Sequence, residues 1–176
     1  MIGPYRHELF PIEKRNLHFL LPILSEVKNV GGLKWIVCNK KNPTEMDAIT
    51  LIEASTAQVA ATLDRSTGWI STAYFLHNFT GKRAQFHFIG RPAIRGKKMR
   101  EAGRDGLAQL FRYFSLETLW SEVPITNRLV LKLARDVGFS EKTVLTNAFN
   151  IVNTQTDRFD VVDGVIIQLN RDELRG

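Results

Sequence analysis

Between Arg83 and Phe114 the chain reads RAQFHFIGRPAIRGKKMREAGRDGLAQLFRYF, and that order of residues admits few folds. Arg83 to Gly90 alternates as a half-buried strand does, Pro92 breaks it, and a knot of positive charge follows. Leu107, Leu110, Phe111 and Phe114 then recur at helical spacing, which predicts a long amphipathic helix from about Lys98. A strand that enters a helix through a basic turn brings backbone N–H groups and cationic side chains to one point. Binding a phosphate or pyrophosphate requires that arrangement.

The charge in the turn is local. Arg91, Arg95, Lys97, Lys98, Arg100 and Arg104 fall within fourteen positions against one acid, Glu101, in a chain whose net charge is +6. A basic surface attracts anions of every kind, so charge alone does not choose between a nucleotide cofactor and a nucleic acid. At 176 residues the chain is most simply one domain, residues 1–176, large enough for its own core. The apolar stretch Leu17 to Val27 is interrupted by Pro22 and followed by charge, so neither a membrane span nor a signal peptide is expected. Cys38 stands alone, which excludes a disulfide framework, suits a reducing compartment and reads as a small core residue.

Along the rest of the chain, Tyr5 to Leu9 predicts a short first strand. Asn16 is placed to cap a helix over Leu17 to Val27, which Pro22 kinks or shortens. Leu33 to Cys38 reads as a brief extended piece, and Thr44 with Asp47 marks a helix running to about Ser55. Ala57 to Leu63, Trp69 to Phe79 and Arg83 to Gly90 read as three successive antiparallel strands. Leu119 to Val123 is a short buried strand, and Asn127 caps a helix over Arg128 to Val137 that Gly138 stops. Phe139 to Leu145 and Val161 to Leu169 form a closing pair of strands, with Asn153 to Asp157 as the polar bend. The sum is one α/β (α+β) domain around a mixed sheet.

Gly90 to Lys97 is not a P-loop. That motif needs four residues between its glycines and Ser or Thr after the lysine, whereas here five intervene and Lys98 follows. Pro92 followed by Arg95-Gly96-Lys97-Lys98-Met99-Arg100 resembles instead the acyl-coenzyme A binding motif of the GNAT superfamily of N-acetyltransferases. A second stretch agrees at the right distance: TLWSEVPITN from Thr118 to Asn127, then Gly138-Phe139. The resemblance implies a mostly antiparallel sheet of six to seven strands with helices on both faces. It also implies acetyl-CoA as cofactor, held by Phe88, Ile89, Gly90, Arg95, Gly96, Lys97, Lys98, Met99, Arg100 and Asn127. A homodimer through the late strands is a further implication of the family.

Several positions depart from the family pattern. Lys98 and Arg100 stand where glycine, and then glycine or alanine, let backbone approach the pyrophosphate. Their charges either grip phosphate directly or block the site. Ala134 occupies the position of a tyrosine that protonates the departing thiolate, and Gln85 that of a frequent glutamate. The base that such a transfer needs therefore falls to His87, two residues on along the strand, or to Glu122 on the next one. His7, His18 and His77 have no metal-ligand spacing, so no metal is expected.

The sequence thus predicts acetyl transfer from acetyl-CoA to a primary amine, on a small molecule or a protein, in a cytoplasmic protein. The wording of residues 118–139 resembles small phage-encoded members of the superfamily, which opens a second reading: a virion-associated or other interaction protein without turnover. Host cytoplasm or the virion would then be its location. A third reading, a nucleic-acid module, rests on the basic knot and on Phe86 and Phe88, but the glycine expected of an RNA-recognition strand is missing at Ala84 and Gln85.

Overall fold

In the computed structural model, residues 6–37, 40–153, 156 and 158–175 are described. Their strands form one seven-stranded sheet in the order β1-β2-β3-β4-β5-β7-β6. These strands are β1 His7–Ile12, β2 Gln58–Asp64, β3 Trp69–Thr80, β4 Arg83–Gly90, β5 Thr118–Pro124, β6 Ser140–Asn153 and β7 Arg158–Asn170. Every neighbouring pair is antiparallel except β4 and β5, which run parallel. The helices are α1 Leu21–Asn29, α2 Glu45–Ala54, α3 Lys97–Tyr113 and α4 Arg128–Val137.

Alternation along β4 divides the helices between the two faces. Ala84 and Phe86 point to one side and pack with Leu107, Leu110 and Phe111 of α3 and Leu131 and Ala134 of α4. Ile89 points to the other and joins Ile23 and Leu24 of α1 and Ile49 and Ile52 of α2. The two cores hold several leucines with no accessible surface, such as Leu24, Leu110, Leu119 and Leu169. Each such side chain contributes roughly 1.5–3 kcal/mol through its burial. The outer edge of β1 does not stand open: the N–H of His7 donates to Asp105 and that of Leu9 to Gln109, both on α3. Helix α3 thereby shields a strand edge that another chain could otherwise pair with.

Three expectations change. Leu17 to Val27 is not one helix: a 3₁₀ helix over Lys14–Leu20 precedes α1, with Pro22 in the first turn, where its missing N–H has no intrahelical partner to lose. Leu33 lies in a 3₁₀ helix, Gly32–Trp35, entered through Gly31 at φ 70, rather than in an extended piece. The closing strands are far longer than the apolar pattern suggested. Most of β6 is exposed, so the strand is held by pairing with β7 rather than by a core face, and alternation gives no signal for it. Its register also slips between Leu145 and Phe149, where Asn147 sits at φ 53 and donates its N–H to Asp163. Tyr5, Cys38 and, from the predicted bend, Thr154, Gln155 and Asp157 lie outside the described residues.

Candidate active site

Strands β4 and β5 pair only where Arg83, Ala84 and Gln85 meet Thr118, Leu119 and Trp120. Beyond that point β4 continues along β3 to Gly90 while β5 continues along β7 to Pro124, so their facing edges separate. The result is a wedge-shaped opening at the carboxyl ends of both strands. From β4 the chain turns at Arg91, whose N–H donates to Ser71 and whose carbonyl accepts from Ile94, and it enters α3 through Gly96 at φ 60, ψ −126. No side chain caps α3 and its first turn holds no acid. The leading amides of this 17-residue helix follow directly on the turn that leaves the carboxyl end of β4, and they concentrate the positive end of its dipole there.

The basic knot separates into structural and available charge. Arg91 is buried, ion-paired with Glu26 of α1, and its guanidinium lies 3.9 Å from the Trp69 ring centre. Arg100 reaches Asp136 of α4 at 3.4 Å, and Arg104 donates to the Asp136 carbonyl at 3.0 Å. These three arginines fasten the turn and α3 to their neighbours. Arg95 stays at the turn, with Nε donating to the Pro92 carbonyl at 3.2 Å; Lys97 is exposed 3.8 Å from Glu101; Lys98 is exposed at the rim of a cavity of about 150 Å3. Three cations thus stand beside the uncapped helix end. Met99 packs inward: a Cβ built on Gly90 would lie 2.7 Å from its terminal methyl, so Gly90 admits that side chain.

Asn127 begins α4 and accepts the Val130 N–H at 3.4 Å, as a cap does. Seven residues on, Ala134 is buried beside a narrow apolar crevice of about 20 Å3, together with Phe86, Phe88, Leu133 and Phe139. Phe86 stacks on Phe139 with centroids 5.0 Å apart, so this aromatic belongs to the core and offers no platform for a base.

The opposite face of the wedge carries imidazole. His87 is exposed by its accessible surface, yet protein crowds it enough that its pKa is pushed down to about 4, by burial first and by neighbouring His77 second. Both statements hold for a side chain on the wall of a cleft. His77 Nε2 lies 2.9 Å from His87 Nε2. Burial lowers the pKa of His77 too, while a hydrogen bond that His77 donates to Asn78 and the Glu122 carboxylate on β5 oppose that shift. Glu122 thus belongs to the same neighbourhood. Gln85 is buried and accepts from Asn78 Nδ2 at 2.7 Å.

The structure brings the sequence-predicted residues to several places. Phe88, Ile89 and Gly90 lie on the stretch of β4 unpaired with β5, with the Phe88 side chain on the α3 face and that of Ile89 on the α1/α2 face. Arg95, Gly96, Lys97 and Met99 lie at the turn and helix start, while Lys98 lines a cavity with Arg6, His7, Asp64 and Trp69. His87 and Glu122 share a neighbourhood with His77, and Arg100 turns toward α4. His77 was missed for a definite reason. Counting back evenly from the Thr80–Arg83 pair sets His77 opposite Phe86, on the α3 side. A register shift at Asn78, φ 50, sets it opposite Gln85 and so on the face of His87. Among the described residues no three His, Cys, Asp or Glu side chains gather as a metal site would need, and no helix is long and apolar enough to cross a membrane.

No protein-family model and no curated protein sequence matches the chain. Solved structures do match its fold. A spermidine N-acetyltransferase from Vibrio cholerae, in complex with CoA and spermine, superposes with TM-score 0.67 at 17% identity, covering 98% of this chain and 100% of that one. A GNAT-family acetyltransferase from Bacillus anthracis gives 0.67 at 12% identity, with 95% and 96% covered. A candidate acetyltransferase from Salmonella typhimurium, solved with acetyl-CoA, gives 0.61 at 16% identity, with 96% and 95% covered. The chain therefore has the GNAT fold, a mixed and mostly antiparallel sheet with helices on both faces.

Proposed function

We propose that the protein is an acetyl-CoA-dependent N-acetyltransferase that passes acetyl to a primary amine by direct attack in a ternary complex. One pair of observations supports the reading: β4 parts from β5 before its carboxyl end, and the turn that follows leads into an uncapped, acid-free helix start with Arg95, Lys97 and Lys98 in sequence around it. The residues present fit a diphosphate. Arg100, whose side chain stood to obstruct the cradle, is drawn off to Asp136, and Gly96 leaves open space at the turn. The amides of Lys97, Lys98 and Met99, with the side chains of Arg95, Lys97 and Lys98, would hold the anion. The freed edge of β4 at Phe88, Ile89 and Gly90 would bond the pantetheine amides, and Asn127 would meet the same arm. When bound, the cofactor supplies an acyl thioester that is reactive toward amines.

This chain's own contribution is orientation and proton handling. Holding an amine against the thioester replaces a bimolecular encounter, with effective molarities of about 10⁵ M or more in well-aligned cases. His87 is neutral near pH 7 and free to accept the proton that the amine nitrogen sheds as it forms the new bond. Glu122 is the alternative acceptor. Ala134 cannot protonate the departing sulfur, so that proton comes from water; a thiol of ordinary pKa, about 8.5, leaves readily enough for this. The Vibrio cholerae neighbour with spermine in its crystal supports an amine acceptor. Location in the cytoplasm and dimerisation are parts of the same proposal.

A second reading, an acetyltransferase-shaped interaction protein without turnover, is favoured by Ala134 in its apolar crevice. Its phage version rests on the wording of residues 118–139 alone. Thiol release from acetyl-CoA, measured over a panel of polyamines, lysine peptides and free N-termini, separates the two. The proposal expects amine-dependent release; acetyl-CoA that neither binds at millimolar concentration nor is consumed would leave the scaffold reading.

A further inference from the structure

The two imidazoles in the cleft form a unit. Their Nε2 atoms are 2.9 Å apart, their planes differ by 12° and their centroids are 5.0 Å apart. Nearly parallel rings whose nitrogens approach so closely while their centres stay distant meet edge to edge, in an N–H···N hydrogen bond. One ring donates and the other accepts, so the contact holds a single proton. The neighbours fix which ring is better suited to positive charge. On β3, Asn78 gives its Nδ2–H to Gln85 Oε1 at 2.7 Å, which leaves its carbonyl oxygen for His77. On β5, the Glu122 carboxylate attracts charge at His77. From β4 come His87 itself, the buried, neutral Gln85 and, at the start of the strand on the same face, the exposed Arg83.

We propose that His87 and His77 act as one base, His87 meeting the acceptor amine at Nδ1 and His77 holding the proton that His87 passes on from Nε2. This rests on the acetyl-transfer reading above. As the amine lone pair forms the C–N bond, the C–S electron pair leaves with sulfur. One amine proton moves to His87 Nδ1, the Nε2 proton of His87 crosses to His77 Nε2, and His77 becomes the cation beside Glu122. His77 later returns that proton to solvent, and the sulfur takes one from solvent, which balances the exchange. His77 is thus a positioning residue, acting through His87. Gln85, unable to be a base itself, orients Asn78 and through it His77.

Two measurements on the full-length protein test this. Side-chain nitrogen-15 spectra across pH 4–8 should find His87 in its Nε2–H form, neutral near pH 7. His77→Ala should raise the His87 pKa toward the ordinary imidazole value of about 6.5, because a repelling neighbour and its burial are both removed. A His87 titration that ignores the loss of His77 overturns the pairing, whether or not the protein turns over. With acetyl-CoA and an accepted amine, His87→Ala should lower kcat by about a hundredfold. His77→Ala should lower it less, leave KM for acetyl-CoA unchanged, and move the acid limb of the kcat–pH profile upward. Turnover with an unmoved acid limb sinks the pairing and leaves the acetyl-transfer reading intact. A wild-type protein that binds acetyl-CoA and acetylates no amine sinks that reading, and the proton-accepting role with it.

Discussion

Single residues in the basic turn divide by what already holds them. Arg91 and Arg100 are ion-paired with Glu26 and Asp136, and Arg104 is held by the Asp136 backbone carbonyl, so all three are engaged before any ligand arrives. Arg95 is exposed and, among the described residues, held through Nε, so it is the cation to remove. Arg95→Glu should weaken acetyl-CoA binding more than about tenfold, the size of one lost charge-assisted contact, and leave the denaturation midpoint unchanged. Calorimetric titration checks it, and unchanged affinity would place the anion elsewhere. His87 makes a separate statement about pH. Its folded pKa, about 4, lies below the ordinary value near 6.5, so the unfolded chain takes up a proton first as pH falls. Stability linked to His87 is therefore complete above pH 6.5 and is lost between there and about pH 4. Denaturant midpoints over that range should fall more steeply for the wild type than for His87→Gln. Equal slopes would mean that the histidine is as well solvated folded as unfolded.

At the scale of elements, the start of α3 matters most, and it depends on Gly96. Its backbone, φ 60 and ψ −126, is open to glycine and strained for every other residue, although nothing lies within 4 Å of an added Cβ. Gly96→Ala should cost about 1–3 kcal/mol of stability through backbone strain alone, or else relax by moving the first turn. Either response should reduce acetyl-CoA affinity, which thermal shift with and without ligand would read. Wild-type behaviour in both would show that the turn does not need this conformation. Elements with strong local signals were legible in the sequence. The bounds Arg83–Gly90 and Arg128–Val137 match the structure, and Thr44 with Asp47 forms the capping box its spacing predicts. The closing pair of strands was legible, but the extension of β6 beyond Leu145 and the register shift at Asn78 were not, because pairing and a positive φ hold them rather than burial.

In the molecule as a whole, the same α3 that offers its first turn to the wedge is fixed by close packing farther along. A Cβ on Gly106 would come within 1.9 Å of the hydroxyl of the fully buried Tyr74 and 3.0 Å of Thr62. Gly106→Ala should therefore destabilise the fold by about 1–3 kcal/mol through overpacking, measured by chemical denaturation. No loss of stability would mean that Tyr74 can move. The order of elements and the site of the basic turn could be read from residues, since both follow from apolar period and charge. The pairing of His77 with His87 could not, since it depends on the register between β3 and β4. On the proposed function, the β4/β5 wedge and the head of α3 together hold coenzyme A. Backbone amide spectra recorded during titration with coenzyme A test it most directly. Shifts should concentrate at residues 86–100 and 121–128; an unperturbed spectrum at millimolar ligand, or shifts gathered on the β6–β7 hairpin instead, would place coenzyme A elsewhere or nowhere on this fold.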